Sequence, residues 1–157
     1  MAITTAMCNS FKQELLGGVH DLDTDSLRVA LIKASPTEAY GANTTTYDGT
    51  STGAGTSLTQ GTNDEAVGTN YTATGQVLDS ATISLSNGVA IVDFADEIFA
   101  NLTIAADGAL IYNDSKDNRA IAVFNFGATV TSTSGNFTVV FPGGSSPDNT
   151  NAVIRIS

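Results

Sequence analysis

The chain has 157 residues, 41% of them apolar, which is enough to bury a core and excludes wholesale disorder. Sixteen acids against six bases give a net charge of −10, and the bases, Lys12, Arg28, Lys33, Lys116, Arg119 and Arg155, are scattered along the chain. Phosphate recognition needs clustered Lys and Arg, so the composition excludes nucleic acid as a partner and leaves the charge to solubility.

Residues 3–18 read as one short helix, an N-terminal helical arm over 1–18. Ser10 is its predicted cap, Glu14 lies in the first turn, and Gly17-Gly18 stops it. Met7, Phe11 and Leu15 share one face, which either packs on a sheet or docks on a partner. Leu27 to Lys33 alternates as a strand, and Ala34-Ser35-Pro36 ends it. Residues 36–70 are rich in Gly, Thr, Ser and Asn and read as one long polar loop. Ordering such a segment costs about 1–2 kcal/mol per residue, and contacts with neighbouring subunits are one compensation. Tyr40 and Tyr47 are its natural anchors.

Tyr71 to Leu78 reads as an edge strand. Thr82-Ile83-Ser84-Leu85 and Val89-Ala90-Ile91-Val92 flank Asn87-Gly88, the strongest short-range hairpin signal. Asp96 to Ile104 continues toward the central pair, and Ala106-Asp107-Gly108 is a predicted turn. Ala109 to Tyr112 and Ala120 to Phe126, joined by the polar run 113–118, hold the densest apolar content and are predicted as the centre of a sheet. Thr129 to Gly135 reads as a Thr/Ser/Gly turn, Asn136 to Phe141 as a strand, Pro142 to Asn149 as a loop, and Ala152 to Ile156 as the last strand. About eight short strands after one helix predict an all-β chain: a single β-sandwich domain over 1–157, of which a jelly roll is one form.

The order of these parts carries a resemblance. A short helix ending in Gly-Gly is followed by LDTDSLRVALIKAS, a Thr-rich loop and YTATGQVL. Then come VAIVDFADEIFANLTIAADGALIYNDS, RAIAVFNFG and GNFTVVFP with a last strand. Over nearly its whole length the chain resembles small structural proteins of tailed bacteriophage virions, of the kind that decorate or cement the head. The loop at 36–70 matches least. The resemblance implies a β-sandwich on the capsid exterior, bound in many copies to the major capsid protein and set among copies of itself, with no catalytic residues and no cofactors. On this reading Ile3, Thr4, Met7 and Phe11 of the arm and Tyr40 and Tyr47 of the loop are the predicted partner contacts. The competing reading is a tail, fibre or host-surface module whose Thr/Asn/Tyr-rich loop meets a glycan.

His20 is the only histidine and no GxSxG occurs, so an enzyme reading has no constellation behind it. Cys8, the single cysteine, excludes an intrachain disulfide and fits a reducing compartment. Asp21, Asp23 and Asp25 alternate as calcium ligands do, but Ser26 and Ile32 stand where an EF-hand needs Gly and an acid, which leaves a solvated turn or a weak calcium site. Asp93, Asp96 and Glu97 form a second acidic group. The first 18 residues have neither a basic start nor an apolar segment, so no signal peptide is expected and synthesis in the host cytoplasm is. No apolar run approaches membrane-spanning length, so no membrane partner is expected.

Overall fold

The computed structural model describes residues 2–48, 55–59, 64–79, 81–141 and 152–156, and of Ser86 the backbone alone. The fold is all-β and sandwich-like, with curled sheets and one short helix. Its axis is the antiparallel pair β8 (Glu97–Asn113) and β9 (Arg119–Val139). The centre of the sheet is therefore where the apolar runs at 109–112 and 120–126 predict it. Around the pair lie β1 (Ala6–Met7), β2 (Leu27–Lys33), β3 (Thr44–Tyr47), β4 (Thr56–Leu58) and β5 (Gln76–Val77). The order across the sheet is β4-β3-β9-β8-β2-β5, with β1 also on β9. A second sheet holds β6 (Thr82–Ser86), β7 (Val89–Asp93) and β10 (Ile154–Ile156), with β7 in the middle. The buried apolar side chains join in one cluster, whose largest members include Phe11, Tyr40, Tyr47, Tyr112, Leu110 and Ile121.

The two long strands run through both segments predicted as turns. At 106–108 the register slips between Ala106 and Gly108, a bulge rather than a reversal. Asp107 there accepts from Ser35 N at 2.8 Å on one side and from Thr129 Oγ1 at 2.6 Å on the other. The bulge turns a polar residue outward while the ladder continues. Thr129 to Gly135 stays in β9 because Thr and Val are strong strand formers once a partner strand is present. Only Gly127 (φ 81) and Ser134 (φ 50) mark where the strand kinks.

The helix is shorter than 3–18. α1 spans Asn9–Leu16. The β-branched start of the chain goes to sheet pairing instead: Ile3 bridges Tyr40, and Ala6 and Met7 pair with Val123 and Ala122. Ser10 is not the cap. It lies inside the first turn, and its hydroxyl is buried with no hydrogen-bond partner. Cys8 occupies the cap position without a side-chain capping bond, its Sγ donating instead to Gly41 O at 3.9 Å, and Asn9 N donates to Ala42 O at 2.8 Å. The other end follows the expectation. Gly18 (φ 69) donates to Leu15 O, and Val19 donates to Glu14 O, the paired bonds of a glycine-terminated helix.

The polar segment 36–70 is not structureless. It supplies β3, β4 and isolated bridges from Glu65 to Ile32 and from Thr69 to Thr103. Of the predicted edge strand 71–78, only Gln76–Val77 is β, on the rim beside β2. The predicted loop at 142–149 lies outside the described residues. The predicted last strand is present as β10, antiparallel to β7.

Candidate functional site

Two polar networks hold the connecting segments to the sheet. The first is built on Asp64 and Glu65, both buried. Asp64 accepts from Lys33 Nζ at 2.8 Å, from Thr37 N and Oγ1 at 2.9 Å, from Glu38 N at 2.7 Å and from Tyr40 OH at 3.2 Å. Burial by itself would raise its pKa. The Lys33 ammonium and the donors of Thr37 and Glu38 outweigh that and hold the carboxyl well below the usual carboxylate range. Glu65 accepts from Tyr47 OH at 2.8 Å, from Tyr71 OH at 3.0 Å and from Thr74 N at 2.9 Å. Tyr47 stacks on Tyr112 with ring centroids 4.5 Å apart, and Tyr112 OH donates to Thr74 O at 2.8 Å. Burial, reinforced by the neighbouring carboxylates, pushes the hydroxyls of Tyr40, Tyr47 and Tyr71 far above the ordinary phenol value. Arg28 clamps the same corner through Thr74 Oγ1 and Gly75 O. Gly75 is required there: its φ is +68, and a Cβ would sit 1.8 Å from Val29 O.

The second network ties α1 to the β8–β9 turn. His20 is buried, and its Nε2 meets Glu14 Oε2 at 2.8 Å. Its Nδ1 lies 3.0 Å from Asn113 Nδ2. The amide of Asn113 is oriented by two other bonds, a donation to Asp25 Oδ2 at 2.7 Å and an acceptance from Ser115 N at 3.0 Å. His20 Nδ1 therefore accepts, and Nε2–H donates to Glu14. Arg119 binds the other oxygen of Glu14. Burial works to raise the Asp25 carboxyl, but bonds from Asn113, Asp21 N and Lys116 prevail and lower it. Asp25 is thus held by protein donors rather than facing Asp21 and Asp23 across an empty centre. Among the described residues no group of three or more His, Cys, Asp or Glu is gathered as metal ligands would be. Asp96 accepts from Phe141 N at 2.9 Å, and burial, with the Asp79 charge nearby, raises Glu97. Cys8 is fully buried, and burial pushes its thiol up to about 12, far from the thiolate a nucleophile needs.

These networks correct most of the predicted contact set. Ile3, Phe11, Tyr40 and Tyr47 are buried in the chain's own core, Met7 is half-buried against β9, and only Thr4 is exposed. An arm and a pair of loop aromatics were expected to reach a neighbour, and they are spent on the fold instead. Tyr40 and Tyr47 offer no exposed ring on which a sugar could stack. Asp64, Glu65 and Asn113 escaped sequence reasoning because their partners lie up to 93 residues away, as for Asn113 and His20. The only local sign was an acidic pair set in an otherwise uncharged Gly/Thr stretch.

Two apolar grooves lie elsewhere on the surface. One groove of about 430 Å³ runs between the helix end and the small sheet, lined by Leu15, Leu22, Ile83, Val92, Ile154 and Ile156. Another of about 350 Å³ lies along β9 and the residues after it, lined by Phe124, Phe126, Val130, Phe137 and Val140. Leu85 and Val140 are 74% and 71% exposed. The two grooves share no lining residue. None of the described helices is long and apolar enough to cross a membrane. No protein-family description, no curated protein and no solved structure matches this chain.

Proposed function

We propose that the chain is a virion structural protein that decorates the outside of a phage head and cements it by bridging subunits of the major capsid protein. The observation that carries this reading is the pair of separate apolar grooves on a strongly acidic β body. A cement needs two contact surfaces on one chain, and the two grooves are lined by different residues. The order of sequence elements, which resembles that of head decoration proteins, supports it. Burial at each site, repeated over many symmetric copies, would stabilise the shell by mass action. The negative charge fits a position away from the genome.

The test is the heat stability of shells with and without the protein. Shells that carry it should melt later, and Val140→Glu or Ile156→Glu should abolish the gain while the free chain stays folded. Equal melting with and without the protein removes the proposal. A tail or fibre component differs in copy number: few per particle rather than hundreds.

A further inference from the structure

We infer that β6 is a self-pairing edge, through which two copies of this chain join their small sheets antiparallel about a two-fold axis at Ser84. Among the described edge strands, β6 is the longest at five residues, against two for β5 and three each for β4 and β10. Natural edges are guarded by charge, proline or bulges. Thr82-Ile83-Ser84-Leu85-Ser86 has no charge and no proline, and it pairs with β7 without a register break. In a chain of net charge −10 this uncharged strip adds no charge of its own to the approach of a second copy.

The hydrogen-bond phase fits self-pairing. Asn87 (φ 50) and Gly88 (φ 77) form a two-residue turn with both residues left-handed, so Ser86 and Val89 are the closing hydrogen-bonded pair. Alternation then directs the N–H and C=O of Ser84 and Thr82 toward β7, and those of Ile83 and Leu85 toward the open edge. Antiparallel pairing about Ser84 sets Ile83 opposite Leu85 of the second copy, and the reverse, with every outward group matched. Ile83 (50% exposed) and Leu85 (74% exposed) lie on one face with Val92 and Ile154, so the apolar face continues across the junction. The pair buries well under the roughly 800 Å² per partner of a standard interface, so it is transient in dilute solution and more populated where copies are crowded.

This inference does not depend on the decoration reading, because it is tested on the purified chain alone. Ser84 meets its own copy at a non-hydrogen-bonded position, where Cα atoms lie about 4.5 Å apart, within reach of a disulfide. Ser84→Cys should therefore form a covalent dimer in glutathione redox buffer. Its rate should exceed that of Leu16→Cys, a control at a position 92% exposed, by about ten-fold or more, and should rise with salt as repulsion is screened. Native Cys8 is buried in both proteins. Adding Leu85→Glu, at an exposed position, should return Ser84→Cys to the control rate. Dimer formation no faster than Leu16→Cys overturns the proposal, as it would if β6 belonged to a different protein. An unchanged rate in the Leu85→Glu background overturns it equally. Loss of shell binding with this dimer intact would count against the decoration reading and leave the β6 contact standing.

Discussion

Replacing Asp64 by Ala removes the acceptor on which residues 36–40 converge. Five donors lose their partner: Lys33 Nζ, Thr37 N, Thr37 Oγ1, Glu38 N and Tyr40 OH. They do not weigh equally. Thr37 and Glu38 are exposed and Lys33 keeps about a third of its side chain in solvent, so water can replace part of what they lose. Tyr40 is buried and cannot recover its bond. One stranded buried hydroxyl at about 1–3 kcal/mol, with two partly compensated amides at about 1 kcal/mol each, gives a loss of about 3–5 kcal/mol. For a chain of this size that lowers Tm by about 6–20 °C. Tyr40→Phe removes a single 3.2 Å bond and keeps the ring, so it should cost about 1 kcal/mol. Urea unfolding with an unchanged m-value measures both. If Asp64→Ala costs no more than Tyr40→Phe, the buried carboxylate is not what holds this segment. The pH dependence adds a check. In the fold the Asp64 carboxyl is held well below its unfolded value, so its stabilisation is complete above the ordinary carboxylate range and is lost as pH falls through it. Between about pH 5 and pH 2 the wild type should lose stability more steeply than Asp64→Ala.

The remaining predictions address the turns, the buried thiol and a second carboxylate. Gly88→Ala has open space for its methyl group and meets only the left-handed backbone, so urea unfolding should show a loss of about 1–2 kcal/mol, whereas Gly75→Ala strikes the Val29 carbonyl and should prevent folding at 37 °C by circular dichroism. Cys8 should resist iodoacetamide at pH 8 in the native protein and react at once in denaturant, by mass spectrometry; rapid native labelling would show that the helix start opens. Glu97 titrates above the ordinary Glu value through burial and Asp79. Asp79→Asn should move its carboxyl carbon titration downward by NMR, and no movement would remove Asp79 as a cause.

The parts of the fold legible in the sequence are those set by neighbours along the chain. Asn87-Gly88 specifies its hairpin because both residues accept positive φ, and the apolar runs on either side of 113–118 specify the central pair. Gly17-Gly18 ends the helix for the same kind of reason. The Thr- and Ser-rich strand 128–135 reads as a turn by composition and becomes strand because β8 lies alongside with free backbone groups. The predicted contact residues misled in a consistent way. Large apolar and aromatic side chains in polar surroundings can serve a partner or the chain's own core, and composition does not distinguish the two. Tyr47 meets Tyr112 at 4.5 Å, a pairing between residues well separated in sequence.

By itself, the sequence determined an acidic, all-β chain with its centre at the β8–β9 pair, because period-two burial and turn chemistry act over a few residues. Only the tertiary structure decided that Asp64, Glu65 and His20 lie inside, that Asp64 and Glu65 hold Thr37, Glu38, Tyr40 and Tyr47, and that apolar grooves lie beside β6 and beyond Phe124. A buried charge is tolerated only where distant donors converge on it, and that convergence exists only once the chain has folded.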